Sequence, residues 1–210
     1  FSAMRSKSSI RRSDICALVV DATQGATAQD RKIANIIRDS RKPCLVIANK
    51  FDLYHPDAAK PDRLASLQDD IAEQLFFIPY APVVAASAKT GESIKRFYFA
   101  IEQIRKASCE GINTGTLNRL MQDSLLAHPP PAGKGGKRFK LLYATMARER
   151  DREKSINGAN FILFCNKRSL LPASYERYLE NKIRDNYHYT GIPISFTFRQ
   201  RETRKRTRKK

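Results

Sequence analysis

The chain has 210 residues, room for one or two domains, and 41% of them are hydrophobic, enough for real cores. Its net charge of +18 is uneven: residues 1–110 hold 17 Lys+Arg against 13 Asp+Glu, and residues 111–210 hold 22 against 8. No run approaches the length of a membrane span and none reads as a secretory leader. The basic second half therefore points to a polyanion, nucleic acid first, and only weakly to a membrane surface, because no basic amphipathic helix with an apolar face stands out.

Residues 1–13 read as a basic helix, with Phe1, Met4, Ser8 and Ile10 loosely spaced and Arg5, Lys7, Arg11 and Arg12 outside. The chain opens on Phe1 rather than on methionine, as if cut from something longer. A strand over 15–21 leads into a loop at Asp21-Ala22-Thr23-Gln24-Gly25, and Thr27 caps a helix over 28–39 with Ile33, Ile36 and Ile37 inward. Arg41-Lys42-Pro43 turns into a strand at 44–48, a short apolar run of the kind covered on both faces. It ends in Asn49-Lys50-Phe51-Asp52. Residues 62–77 return to helical spacing with Leu64, Leu67, Ile71 and Leu75. A strand at 82–86 runs into Ser87-Ala88-Lys89-Thr90-Gly91, and residues 92–107 carry Ile94, Phe97, Ile101 and Ile104. Strands alternating with helices predict a parallel, doubly wound α/β sheet.

In such a sheet, ligands bind just beyond the carboxyl ends of the strands, where Asn49, Lys50 and Asp52 sit. A carboxylate there can accept two hydrogen bonds from a guanine edge, from N1–H and the exocyclic amine; adenine presents no such pair. A lysine stem can lie over the flat base, and an asparagine can pin the neighbouring loop. Four positions are a modest signal, and the competing reading is a polar cap with Asp52 at a helix N-terminus. The order strand, Asn-Lys-Phe-Asp, helix, strand, Ser-Ala-Lys, helix resembles the guanine half of a Ras-like GTPase. Phosphoryl transfer also needs a Gly-x4-Gly-Lys-Ser/Thr loop and an Asp-x-x-Gly ahead of a switch helix, and neither occurs. Gly133-Lys134-Gly135-Gly136-Lys137 has the wrong spacing and reads as a flexible basic linker. The chain alone is not expected to hydrolyse GTP.

Cys16, Cys44, Cys109 and Cys165 are scattered singly, so neither zinc nor a disulfide framework is expected and a reducing, cytoplasmic setting fits. After a helix from Thr114 or Thr116 to about His128, Pro129-Pro130-Pro131 breaks the chain, and strands follow at 138–143 and 160–165. Residues 147–158 read as a charged loop. Pro172 and Ser174 open a helix to about Tyr187, and a third strand over 191–198 places Ile192, Ile194, Phe196 and Phe198 on one face. This α-β-β-α-β order is that of a KH-like module. Gly133-x-x-Gly136 has the letters of the RNA-clamping loop but precedes a strand, so it is discounted. Arg138, Lys140, Lys167, Arg168, Arg177 and Lys182 are candidate phosphate contacts. The tail from Arg199 to Lys210, including Arg204, Lys205 and Arg206, is expected to be disordered when free. The expected division is 1–110 for the partial GTPase domain, 111–198 for the KH-like domain with a linker near 129–137, and 199–210 for the tail.

Taken together, the chain resembles the bacterial double-GTPase family Der, also called EngA. The residues that carry the resemblance are Arg11-Arg12-Ser13-Asp14, Val20-Asp21-Ala22-Thr23-Gln24-Gly25, Gln29-Asp30, Asn49-Lys50-Phe51-Asp52-Leu53 and Ser87-Ala88-Lys89-Thr90-Gly91. In the second half they are Gly115-Thr116-Leu117-Asn118, His128-Pro129-Pro130, Leu142-Tyr143-Ala144-Thr145, Phe164-Cys165-Asn166, Tyr175 to Asn181 and Gly191-Ile192-Pro193-Ile194. The resemblance implies the later part of a second Ras-like GTPase domain followed by a C-terminal KH-like domain. It implies guanine contacts at Asn49, Lys50 and Asp52, with Ser87, Ala88 and Lys89 closing over the base. The cofactor would be GTP or GDP, with Mg2+ only where the missing phosphate-binding part is present. The partners would be the large ribosomal subunit, its rRNA and the missing GTPase regions of the same protein. The alternative is a non-enzymatic RNA-binding module that keeps a GTPase remnant as scaffold.

Overall fold

The computed structural model describes residues 2–147, 156 and 158–200. The chain forms two compact units: one of residues 1–110, 149–159 and 188–194, the other of residues 111–148, 160–187 and 195–210.

The first unit carries α1 (Ser2–Arg12), β1 (Cys16–Asp21), α2 (Ala28–Asp39), β2 (Cys44–Asn49), α3 (Lys60–Gln74), β3 (Val83–Ala85) and α4 (Ile94–Cys109). Its sheet runs β1-β2-β3, all parallel. The apolar run of β2 is the middle strand, with Cys44, Leu45, Val46 and Ala48 all buried, as a strand covered on both faces requires. Leu18 and Val20 pack with Ala34 and Ile37 of α2 and with Leu67 and Ile71 of α3 in one core.

Local chemistry sets most boundaries. Thr27 closes a capping box with Asp30, each side chain reaching the other's backbone, so α2 starts at Ala28. Helix α3 starts two residues before the expected 62 because Pro61 occupies its first turn, where a fixed φ and a missing N–H cost nothing. It ends at Gln74; Leu75 leaves the helical region at φ −115° yet stays buried in the following turn.

Two inward assignments are corrected. Ile94 is 40% exposed, because α4 buries Ala100, Ile104 and Ala107 and its first residue falls outside that stripe. Ile192 is fully buried but not on the last strand: residues 188–194 turn within the first unit. There the Gly191 N–H donates to the Tyr80 carbonyl at 2.7 Å, and the Gly191 carbonyl accepts from the Cys44 N–H at 2.9 Å. Gly191 has φ +70°, and a Cβ there would collide with the Ile104 side chain and come within 3.1 Å of the Cys44 carbonyl.

The second unit carries α5 (Thr114–Ala127), β4 (Leu141–Met146), β5 (Ala159–Cys165), α6 (Ala173–Asn186) and β6 (Ile194–Gln200). Its sheet order is β4-β5-β6, with β4 and β5 antiparallel. One sheet face, through Ala144, Phe161 and Leu163, is buried along with Leu117 and Met121 of α5 and Leu179 and Ile183 of α6. Helix α5 starts at Thr114, one of the two expected positions, and Asn113 caps it by accepting the Gly115 N–H at 2.8 Å. Strand β4 begins three residues later than 138, because Asn166 takes the backbone before it: Asn166 donates to the Arg138 carbonyl at 2.9 Å and accepts the Lys140 N–H at 3.0 Å. The charged loop expected over 147–158 lies mostly, and the tail beyond Gln200 wholly, outside the described residues. No described helix is long and apolar enough to cross a membrane.

Candidate functional site

Parallel register brings three loop mouths together at the carboxyl end of the first sheet. Asp21 stands opposite Asn49, and Ala48 opposite Ala85. The loops after β2 and β3 are then stitched by backbone: Ala86 N–H donates to the Ala48 carbonyl at 2.9 Å, and Phe51 N–H to the Ala86 carbonyl at 3.1 Å. Asn49 adds the side-chain tie, its Oδ1 accepting the Ala88 N–H at 2.9 Å.

Ser87 is fully buried and organises the second loop. Its Oγ accepts the Thr90 N–H at 3.2 Å, its carbonyl accepts the Gly91 N–H at 2.9 Å, and its own N–H donates to the Glu92 carbonyl at 3.2 Å. Ala88 and Lys89 are exposed at the tip. Lys60, at the start of α3, meets Glu92 at 2.5 Å and ties this loop to the helix behind it.

Lys50 adopts a left-handed conformation, φ 64° and ψ 33°, uncommon for a side chain of this size. Its Nζ lies 2.5 Å from Asp21 Oδ2. The other Asp21 oxygen accepts the Thr23 N–H at 3.0 Å and the Thr23 hydroxyl at 2.7 Å. These bonds, the lysine first, hold the Asp21 carboxyl below the usual carboxylate range.

Asp52 sits in a single tight turn, Phe51–Leu53, half-buried, and no hydrogen bond joins its carboxylate to another described residue. The helix-cap reading fails, because the next helix starts at Lys60 with Ala59 in the cap position. Phe51 is buried beneath the turn. Arg63 of α3 brackets it: its guanidinium lies 4.6 Å from the Phe51 ring centroid and donates to the Phe51 carbonyl and, at 2.7 Å, to the Tyr54 carbonyl. The Tyr54 hydroxyl in turn donates to Asp70 at 2.8 Å. Sequence reasoning missed Arg63, Asp21 and Lys60 as site residues. Asp21 was legible as the polar end of a strand; the two helix residues carry no motif. A cleft of about 460 Å³ lined by Thr23 and residues 53–58 adjoins the turn, but Asn49, Asp52 and residues 87–89 do not line it.

The basic candidates of the second unit divide by engagement. Arg138, Lys140, Lys167 and Arg177 are exposed. Arg168 is occupied inside the unit, paired with Glu176, donating to the Leu171 carbonyl and lying 4.3 Å from the Phe198 ring centroid. Lys182 lies 3.7 Å from Asp185 and 5.8 Å from the Tyr178 ring centroid. Arg204, Lys205 and Arg206 lie outside the described residues. Among the described residues, no group of three or more His, Cys, Asp or Glu is placed to hold a metal ion.

Comparison with known proteins agrees with both halves. The elongation factor Tu GTP binding domain family matches residues 1–107, and the family described as KH-domain-like of EngA bacterial GTPase enzymes, C-terminal, matches residues 112–199. GTPase Der of Akkermansia muciniphila is 46% identical over 202 residues, 96% of this chain and 43% of that protein. GTPase Der of Alkaliphilus oremlandii is 35% identical over 97% of this chain and 44% of its own length, and that of Acetivibrio thermocellus 36% over 96% and 43%. The chain thus spans less than half the length of these relatives. It belongs to the Der (EngA) family of GTPases, with a Ras-like GTPase portion followed by the family's C-terminal KH-like domain.

Proposed function

We propose that this chain is the guanine-recognising and RNA-contacting part of a GTP-binding and GTP-hydrolysing factor in assembly of the large ribosomal subunit, acting in the cytoplasm. The observation that carries the guanine assignment is the pairing of a fixed frame with an open acceptor. Asn49 and the backbone lock the loops after β2 and β3 together, while the Asp52 carboxylate, in the turn that follows β2, has no hydrogen-bond partner among the described residues. Asp52 accepts the N1–H and exocyclic amine of guanine. The Lys50 stem covers one face of the base, and the backbone at Ser87 and Ala88, with Lys89 beyond, closes the other side. The guanine half belongs to the first unit and the RNA-contacting half is the second unit, whose last strand runs to Gln200 before the basic residues 201–210. Phosphate binding, with its Mg2+, comes from a part of the protein that this sequence does not contain.

The test compares nucleotides in a protein that joins this chain to a phosphate-binding front. Asp52→Asn replaces one acceptor by an amide donor, which suits xanthine, whose C2 carries a carbonyl, and mismatches guanine. A site built to hydrogen-bond a substrate discriminates by several orders of magnitude, so GDP affinity is expected to fall at least about a hundredfold while XDP affinity rises. Equal GDP affinity in the variant overturns the assignment. For the RNA half, binding to this chain is expected to weaken steeply with salt, and affinity independent of salt overturns it.

A further inference from the structure

One face of the second sheet carries partly exposed aromatic and apolar groups that the phosphate contacts do not use. Along β5, Phe161, Leu163 and Cys165 are buried, so the alternate residues Asn160, Ile162 and Phe164 share the opposite face. The register of β4 against β5 slips by one residue: Leu141 stands opposite Cys165, but Tyr143 stands opposite Phe164. Leu142 is the extra residue, and the slip leaves both Leu142 and Tyr143 outside, 47% and 44% exposed. Tyr143 and Phe164 form a tilted ring pair, 5.8 Å between centroids, and the Arg199 guanidinium of β6 lies 6.0 Å from the Phe164 centroid.

We propose that Tyr143, Phe164 and Arg199 form a stacking platform for unpaired RNA bases on this sheet face. The inference rests on the reading that the second unit contacts RNA, and it names what is contacted: exposed bases of a single-stranded segment, rather than the backbone of a duplex. Aromatic rings and a guanidinium plane are the groups on which splayed-out bases stack, and every base has a face to offer them. The excess of 22 Lys+Arg over 8 Asp+Glu in residues 111–210 favours a nucleic acid over a protein as occupant. Lys140, exposed just ahead of the bulge, is placed for the backbone of the same strand. Asn160, on the same face, accepts from the Thr197 hydroxyl at 3.0 Å, so polar side chains interrupt the apolar ones there.

The chain contains no tryptophan, so Tyr143→Trp puts a single indole on the platform. Its fluorescence in this 210-residue chain is expected to be quenched by a short unstructured oligoribonucleotide and not by the same oligomer without bases. Tyr143→Leu is expected to weaken single-stranded RNA about tenfold without changing the slope of affinity against salt. Lys140→Gln, by contrast, should lower that slope by about one. RNA bound with no quenching, with equal affinity for the abasic oligomer, would overturn the platform and leave the RNA-contact reading standing. No binding of either oligomer would overturn both.

Discussion

Asn118 offers the sharpest test of how the second unit is held together. It projects from α5 onto β4, the edge strand of its sheet, and treats Ala144 as a strand partner would. Its Nδ2 donates to the Ala144 carbonyl at 2.8 Å, and its Oδ1 accepts the Ala144 N–H at 2.8 Å. The same Nδ2 donates to the Thr114 carbonyl at 2.7 Å, fixing the rotamer. Ala144 is fully buried, so water cannot replace both bonds cheaply. Each buried backbone group left unpaired costs about 1–3 kcal/mol. Asn118→Ala is therefore expected to destabilise the second unit by about 3 kcal/mol, allowing for partial relaxation. Asn118→Asp keeps an acceptor for the Ala144 N–H but sets a carboxylate against the Ala144 carbonyl, so it should do no better at neutral pH. The assay is urea unfolding, combined with hydrogen exchange at the Ala144 amide, which reports this unit alone. A loss under about 1 kcal/mol, with Ala144 still protected, would refute the claim that the side chain completes the edge.

Three further expectations concern the first unit and the cysteines. Arg63→Leu removes two hydrogen bonds to the turn that bears Asp52 together with a ring contact, and is expected to cost about 2 kcal/mol in urea unfolding, partly restored by Arg63→Lys; unchanged stability would dismiss Arg63 as a positioning residue. The Asp21 carboxyl is lowered by Lys50 and Thr23, so its contribution is complete above the unfolded value of about 3.9 and disappears as pH falls through the lower folded value. The stability gap between the parent chain and Asp21→Asn should accordingly narrow as pH falls below about 4, and a gap that stays constant throughout the acid range would contradict the ion pair. Burial pushes the Cys44 thiol up to about 12, and Cys16 and Cys165 are buried as well. A thiol reagent at neutral pH should therefore label only Cys109 in the folded chain, and rapid labelling of a second cysteine would contradict the packing.

Much of the first unit was legible in the sequence because its signals are local. The apolar run at 44–48 had to be a buried strand, and Thr27 with Asp30 had to start a helix. Asn49 and Asp52 follow the strand by one and a few positions, so strand direction alone sent them to the carboxyl end of the sheet. The α-β-β-α-β order of the second unit was readable for the same reason. Tertiary structure decided what depends on residues far apart in the chain. Arg63 supports Asp52's turn only because α3 folds back over it, and Lys50 meets Asp21 across 29 residues because β1 and β2 pair in register. Ile192 looked like strand, yet the glycine before it turns the backbone into contact with Cys44 and Tyr80. The slip at Leu142 that turns Tyr143 outward exists only against β5. Periodicity and caps act over a few residues and are written in the sequence; register and side chain–backbone ties act across the fold, where one sequence pattern is compatible with several partners until packing selects among them.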